Sequence, residues 1–223
     1  MVIPSVLYRV IPAVFLLLGG CSALTQVSGS WANPLFVETP MTKLAIFTVG
    51  SKNFISKATI EGAVVKELSR RGVVSTASTT IFNPASYDRD SDGRIDDPNF
   101  KDVAGQKLAE LGFDGVMIIA VKDVKQEERY MPGTVTYQPM TGFHTNGWYG
   151  YWSSSYERIE TPGYTTTDVT AFAEVNVYHI QKNALAWAAQ TETFNPTSLQ
   201  DAAESFASAI VPVMMRSGVV KGN

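Results

Sequence analysis

The residues best spaced for chemistry are the carboxylates of Asp88-Arg89-Asp90-Ser91-Asp92-Gly93-Arg94-Ile95-Asp96. Calcium is a hard cation that takes about six to eight oxygen ligands, and carboxylates at alternate positions supply them. Asp88, Asp90 and Asp92 would each give a carboxylate, Gly93 would allow the sharp turn, and Arg94 would offer its backbone carbonyl. Asp96 would bind directly or through water, and Ile95 would tie the loop to its neighbours. At the twelfth position Asn99 stands where a bidentate Glu is usual, which removes one oxygen and one negative charge and points to weak calcium affinity. The competing reading is an acidic surface turn partly neutralised by Arg89 and Arg94.

That spacing resembles the calcium loops of EF-hand and dockerin modules. A strand-like stretch and Pro84 precede it and only its exit looks helical, so the reading is an isolated loop that staples residues 83–99 to the next helix. A second run, Phe143-His144-Thr145-Asn146-Gly147-Trp148-Tyr149-Gly150-Tyr151-Trp152 and on to Tyr156, sets large rings among Gly, Ser and Asn. Such rings bring contact area with adaptable hydrogen bonding, the chemistry of protein or glycan recognition surfaces. Trp148, Tyr149, Tyr151, Trp152 and Tyr156 are therefore candidate partner-binding residues; the alternative is that the rings fold back on the sheet or rest at a lipid surface. His144 and His179 have no second ligand at metal spacing. Glu127-Glu128 and Asp96-Asp97 lie in polar runs that read as solvated faces. With no glycine-rich phosphate loop and no serine-nucleophile motif, no catalytic residue is assigned.

Leu18-Gly19-Gly20-Cys21 holds the chain's single cysteine at the end of an apolar run, Val10 to Leu18, preceded by Arg9. The run is too short to span a bilayer and ends in small residues, as a secretory signal does. A cysteine directly after a small-residue cleavage site resembles the lipobox of bacterial lipoproteins, which implies cleavage after residue 20 and acylation of Cys21. An ordinary signal peptide or an uncut signal anchor is the alternative. Several acyl chains exceed what stable anchoring needs, so the mature protein would sit on a membrane without crossing it. In lipoprotein sorting an Asp after the cysteine favours the inner membrane; Ser22 therefore favours the periplasmic face of the outer membrane.

Removal of residues 1–20 leaves 203, enough for one sizeable core. A formal charge of −3 gives no basic field for nucleic acid, and an acylated Cys21 leaves no disulfide. Residues 21–42 lack a sustained period and read as a lipidated tether, 43–217 as one α/β domain, and 218–223 as a tail. Lys43 to Val49 is a compact apolar strand. Ile60, Val64 and Leu68 recur every fourth residue ahead of Arg70, Arg71 and Gly72, which makes a helix over 54–71. Val73 to Phe82 reads as a strand, and Asp97-Pro98 opens a helix with Phe100, Ala104, Leu108 and Leu111 inward, stopped at Gly112.

Val116 to Val121 has no polar residue, as suits a central strand covered on both faces. Polarity then rises to Arg129 as the strand passes the core, Thr134 to Tyr137 forms a short strand, and 138–162 is a long insertion without period. Tyr164 to Ile180 alternates, turns at Gln181 to Asn183, and pairs with Ala184 to Phe194. Ser198 and Asp201 open a last helix that Pro212 should kink or end. The order β-α-β-α-β-β-β-α gives an α/β (α+β) fold, one mixed sheet packed by about three helices.

The chain then resembles a group of small bacterial envelope lipoproteins. In them a strand like Phe113-Asp114-Gly115-Val116-Met117 precedes an aromatic, glycine-rich insertion, and a segment like Leu185-Ala186-Trp187-Ala188-Ala189-Gln190-Thr191-Glu192-Thr193-Phe194 precedes the last helix. The topology also looks like the TolB amino-terminal domain and the lipoprotein activators of penicillin-binding proteins. These resemblances imply a non-catalytic envelope module that binds a protein or glycan and assembles with it. An envelope hydrolase acting on glycan and a purely structural lipoprotein are the rival readings.

Overall fold

The computed structural model describes residues 24–51, 53–83, 99–139 and 156–222. Six strands form a mixed sheet in the order β1-β8-β7-β4-β2-β3. They are β1 (Thr25–Ala32), β2 (Lys43–Val49), β3 (Val74–Ala77), β4 (Gly115–Met131), β7 (Tyr164–His179) and β8 (Ala184–Phe194). A separate two-stranded ribbon joins β5 (Thr134–Pro139) to β6 (Tyr156–Thr161). The helices are α1 (Phe54–Arg70), the single turn α2 (Ser78–Ile81), α3 (Phe100–Glu110) and α4 (Leu199–Arg216). The α+β class and a mixed main sheet stand as the sequence predicts, with the β5–β6 ribbon apart from it.

The β2–β3 and β2–β4 pairs are parallel and the remainder antiparallel. β2 alternates Leu44 and Ile46 toward one face with Ala45 and Phe47 toward the other, because helices cover both sides of it. On the first face α1 and α4 press Val64, Leu68, Phe206, Ile210 and Met214 onto Met117, Ile119, Val175, Val177 and Trp187. On the second, α3 sets Phe100, Ala104 and Leu108 against Phe47 and Phe82. A fully buried aliphatic side chain of this kind contributes about 1.5–3 kcal/mol.

The helix ends follow their local chemistry. Asn53 caps α1, its side chain accepting from the Ile55 amide at 2.8 Å. Gly72 and Gly112 adopt φ of +78° and +73°, and the next amides, of Val73 and Phe113, return to the Leu68 and Leu108 carbonyls. Ser198 accepts from the Asp201 amide at 3.1 Å, while the Asp201 carboxylate reaches the amide and hydroxyl of Thr197. α4 runs on through Pro212 to Arg216. At the opposite end of the sheet the Asp114 carboxylate accepts from the amides of Thr42 and Lys43, fixing the entry of β2 beside β4.

Three readings of the sequence change. Residues 21–42 are not one long tether: Thr25–Ala32 is an edge strand antiparallel to β8, in register from Thr25↔Thr193 to Ala32↔Trp187. The second strand stops at Ala77, and Ser78–Ile81 coils because a buried carboxylate binds it, as described below. The insertion 138–162 contains β6, so its two ends are paired strands.

Candidate functional site

The β2, α1, β4, β7, β8 and α4 segments meet at one pole of the domain, beyond the carboxyl end of parallel strand β2. Ligands of open α/β sheets bind at such crevices. Here a cleft of about 430 Å³ opens between the first turns of α1 and α4, floored by the sheet. Its walls are Ile60 of α1, Ile119 and Val121 of β4, Ala173 of β7, and Leu199 and Phe206 of α4. Ser51, Asn53 and Ser56 give it a polar lip, and Thr193 lies at its β8 side. An apolar cavity with a few polar groups at the rim suits an apolar ligand or a hydrocarbon chain.

One wall of the same pole is tied down by Glu61, which has no accessible surface. Its carboxylate accepts from the Thr48 amide at 2.8 Å, the Ser78 hydroxyl at 2.9 Å and the Thr79 amide at 3.1 Å. Three donors from the end of β2 and the start of α2 thus converge on one α1 side chain. Burial raises the Glu61 pKa above the ordinary glutamate value, opposed by these hydrogen bonds, first that of Thr79. Lys57, one turn earlier on α1, is also buried. A lone Glu between apolar helix positions gives no sequence signal for this role.

From this pole β4 and β7 continue together past the core. β4 is exposed from Lys122 onward, yet stays in register with β7 up to Met131↔Tyr164. A bulge between Val121 and Asp123 starts this arm. One face then carries the pairs Val124/Ala171, Gln126/Val169, Glu128/Thr167 and Tyr130/Thr165; the other carries Lys125/Thr170, Glu127/Asp168, Arg129/Thr166 and Met131/Tyr164. Ion pairs Lys122–Glu174 (3.1 Å) and Arg129–Asp168 (3.3 Å) lie along it. Asn195 extends the ladder where β8 ends: its side chain accepts from the Val169 amide at 2.6 Å and donates to Asp168 at 3.0 Å.

The arm then breaks on both strands at once. Pro132-Gly133 and Pro162-Gly163 separate the pair Met131↔Tyr164 from the next pair, Thr134↔Thr161. Proline removes a ladder donor from each side, and a Cβ on Gly133 would collide with the Thr161 carbonyl. Beyond this joint β5 and β6 stay paired to Pro139↔Tyr156. The matched Pro-Gly dipeptides, thirty positions apart, were the available sequence signal for one interrupted hairpin.

Among the predicted site residues, Tyr156 begins β6, and Asn99 sits at the start of α3 with its carbonyl accepting from the Asp102 and Val103 amides. Cys21, the metal-ligand candidates Asp88, Asp90, Asp92, Arg94 and Asp96, and the aromatics Trp148, Tyr149, Tyr151 and Trp152 lie outside the described residues. Among the described residues, no three acidic, His or Cys side chains gather at metal-binding distance.

No protein-family model and no curated protein sequence matches the chain. Solved structures with a similar course include the PelC dodecamer from Paraburkholderia phytofirmans, at 13% identity and a TM-score of 0.43, covering 89% of this chain and 99% of that one. Another is lipoprotein GNA1162 from Neisseria meningitidis, at 11% identity and a TM-score of 0.39, covering 79% of this chain and 99% of that one. Likenesses this low carry no functional conclusion.

Replacing Glu61 by Gln turns one acceptor oxygen into an amide donor facing the Thr79 N–H, at a cost of about 1–3 kcal/mol. Because the folded pKa is raised, the contribution of the protonated group is whole at acid pH and is lost as pH rises through the folded value. Urea titrations of the native protein and Glu61→Gln should therefore show a stability gap that is largest at acid pH and narrows upward. A gap that widens with pH contradicts this account.

Proposed function

We propose that this chain is a bacterial envelope lipoprotein, anchored through acylated Cys21 at the periplasmic face of the outer membrane. It acts by binding or assembly rather than catalysis. Its recognition element is the aromatic insertion, with Trp148, Tyr149, Tyr151, Trp152 and Tyr156 meeting an envelope protein or glycan.

The observation that carries this reading is the arm. An ordinary surface loop needs no support of this kind, whereas here ten exposed residues of β4, from Lys122 to Met131, and then the β5–β6 ribbon lead to the insertion. At about 3.3 Å per residue the first stage alone is about 30 Å long. Among the described residues no helix is long and apolar enough to cross a membrane; the attachment proposed is the lipid on Cys21.

The acidic loop completes the proposal as a weak calcium site, formed by Asp88, Asp90, Asp92, Arg94, Asp96 and Asn99, that ties residues 83–99 to α3. Calcium should raise the melting temperature of the native protein and leave that of Asp90→Ala unchanged. Identical melts of the native protein in calcium and in chelator would refute the site.

The recognition element is tested by cross-linking in intact cells followed by mass spectrometry. The comparison is with a variant carrying Trp148→Ser, Tyr149→Ser, Tyr151→Ser and Trp152→Ser together. A partner captured by the native chain should disappear with the rings; capture of the same material by both forms would overturn the assignment.

A further inference from the structure

We infer that the sheet face turned away from α1 and α4 holds a binding site for an uncharged, hydroxyl-rich glycan. Trp31 supplies its stacking ring, and Gln190 and Glu192 supply its hydrogen bonds. The site depends neither on the Cys21 anchor nor on the aromatic insertion.

The two faces of the sheet are covered unequally. On the first, α1 and α4 pack against residues of β2, β4, β7 and β8. On the second, the cluster under α3 draws on Ala45 and Phe47 of β2, Val116 of β4 and Ile180 just past β7, and on no residue of β8 or β1. Among the described residues the second face of β8 and β1 is left without a helix core.

The register arranges this face in rows, since residues paired across strands share a side of the sheet. Trp31 stands beside Ala188 and Asn176; the next row is Gly29, Gln190 and Glu174; the third is Gln26, Glu192 and Phe172. From Ala188 to Glu192 the rows extend about 13 Å. Gly29 and Ala188 add little bulk beside Trp31, which is 51% exposed. Next to it a cavity of about 200 Å³ lies among Ser28, Lys122, Phe172, Glu174, Gln190 and Glu192.

The polar groups around the cavity are held before any ligand arrives. One Glu174 oxygen accepts from the Asn176 amide at 2.8 Å and the other pairs with Lys122 at 3.1 Å, while the Ser28 hydroxyl donates to one Glu192 oxygen at 3.0 Å. Lys122 is thus matched by Glu174, and the charge left over is that of Glu192. Its second oxygen and the Gln190 side-chain amide have no protein partner among the described residues.

That balance selects the ligand. A carboxylate only accepts hydrogen bonds, so it repels phosphate and receives hydroxyl donors, while the neighbouring amide both donates and accepts. The indole face offers a broad apolar surface for the C–H side of a sugar ring. A protein partner would need a desolvated apolar centre, and across these three rows Trp31 is the one large apolar side chain that is exposed.

The test is calorimetric titration of the full chain, in an amine-oxide detergent that carries no sugar, with the β-1,4-linked hexamers of N-acetylglucosamine and of glucose. At least one hexamer should bind. Trp31→Ala should weaken that binding roughly tenfold or more, as loss of an anchoring Trp does, and Trp31→Tyr should weaken it less because a ring remains. Gln190→Ala, at an exposed position, should weaken it roughly threefold or more. The variant with Trp148, Tyr149, Tyr151 and Trp152 changed to Ser should bind as the native chain does. No heat from either hexamer, an affinity unchanged by Trp31→Ala, or loss confined to the insertion variant overturns the site. Heat from an extended Gly-Ser peptide in place of both hexamers also overturns it and makes the face a protein contact.

Discussion

The pairing of β1 with β8 brings the amino-terminal part of the chain into the sheet almost as soon as it leaves Cys21. Seven positions of Thr25–Ala32 are in register with β8, the Thr25 and Thr193 hydroxyls meet in a buried contact, and α4 closes over them. A tether of about twenty residues would let the domain sample any orientation above a membrane. A link of three residues would not. Under the proposed anchoring at Cys21, this one edge limits how freely the domain turns above the membrane.

Glu61 does comparable work within the domain. Parallel strands need crossovers, and the corner where β2 ends and β3 leads into α2 leaves backbone donors inside the protein. One carboxylate takes the Thr48 and Thr79 amides together with the Ser78 hydroxyl, so these donors find an acceptor inside the protein, while the buried Thr48 hydroxyl beside them has none. The same corner forms a wall beside the cleft, and Gly50, at φ +80°, turns the chain tightly enough to pass the Val121 carbonyl. On the other side of the cleft, Asn195 and the Val121/Asp123 bulge set the root of the arm.

Much of this was legible in the sequence. Period and end chemistry mark α1, α3 and α4, and apolar runs or alternation mark β2, β4, β7 and β8. The strand β1 was not legible, because an edge strand buries little: Gln26, Ser28, Gly29 and Ser30 face outward and interrupt any pattern. Its formation depends on β8, about 165 residues away in sequence, and no local window contains that partner. Ser78–Ile81 has strand-like composition but takes the shape that the Glu61 carboxylate dictates, a case of tertiary contact overriding propensity. Glu61 itself reads as one more solvated helix residue until the fold surrounds it. β6, with Glu157, Arg158 and Glu160 among six residues, is a strand by pairing with β5 and not by pattern.

The account's central claim is that Thr25–Ala32 is part of the sheet and not a tether. Amide hydrogen exchange of the protein, followed on peptides covering residues 24–33, measures this most directly. Amides bonded across to β8 should exchange slowly, with protection approaching that of β8 itself. Exchange of the whole segment at the rate of an unstructured chain would contradict the claim.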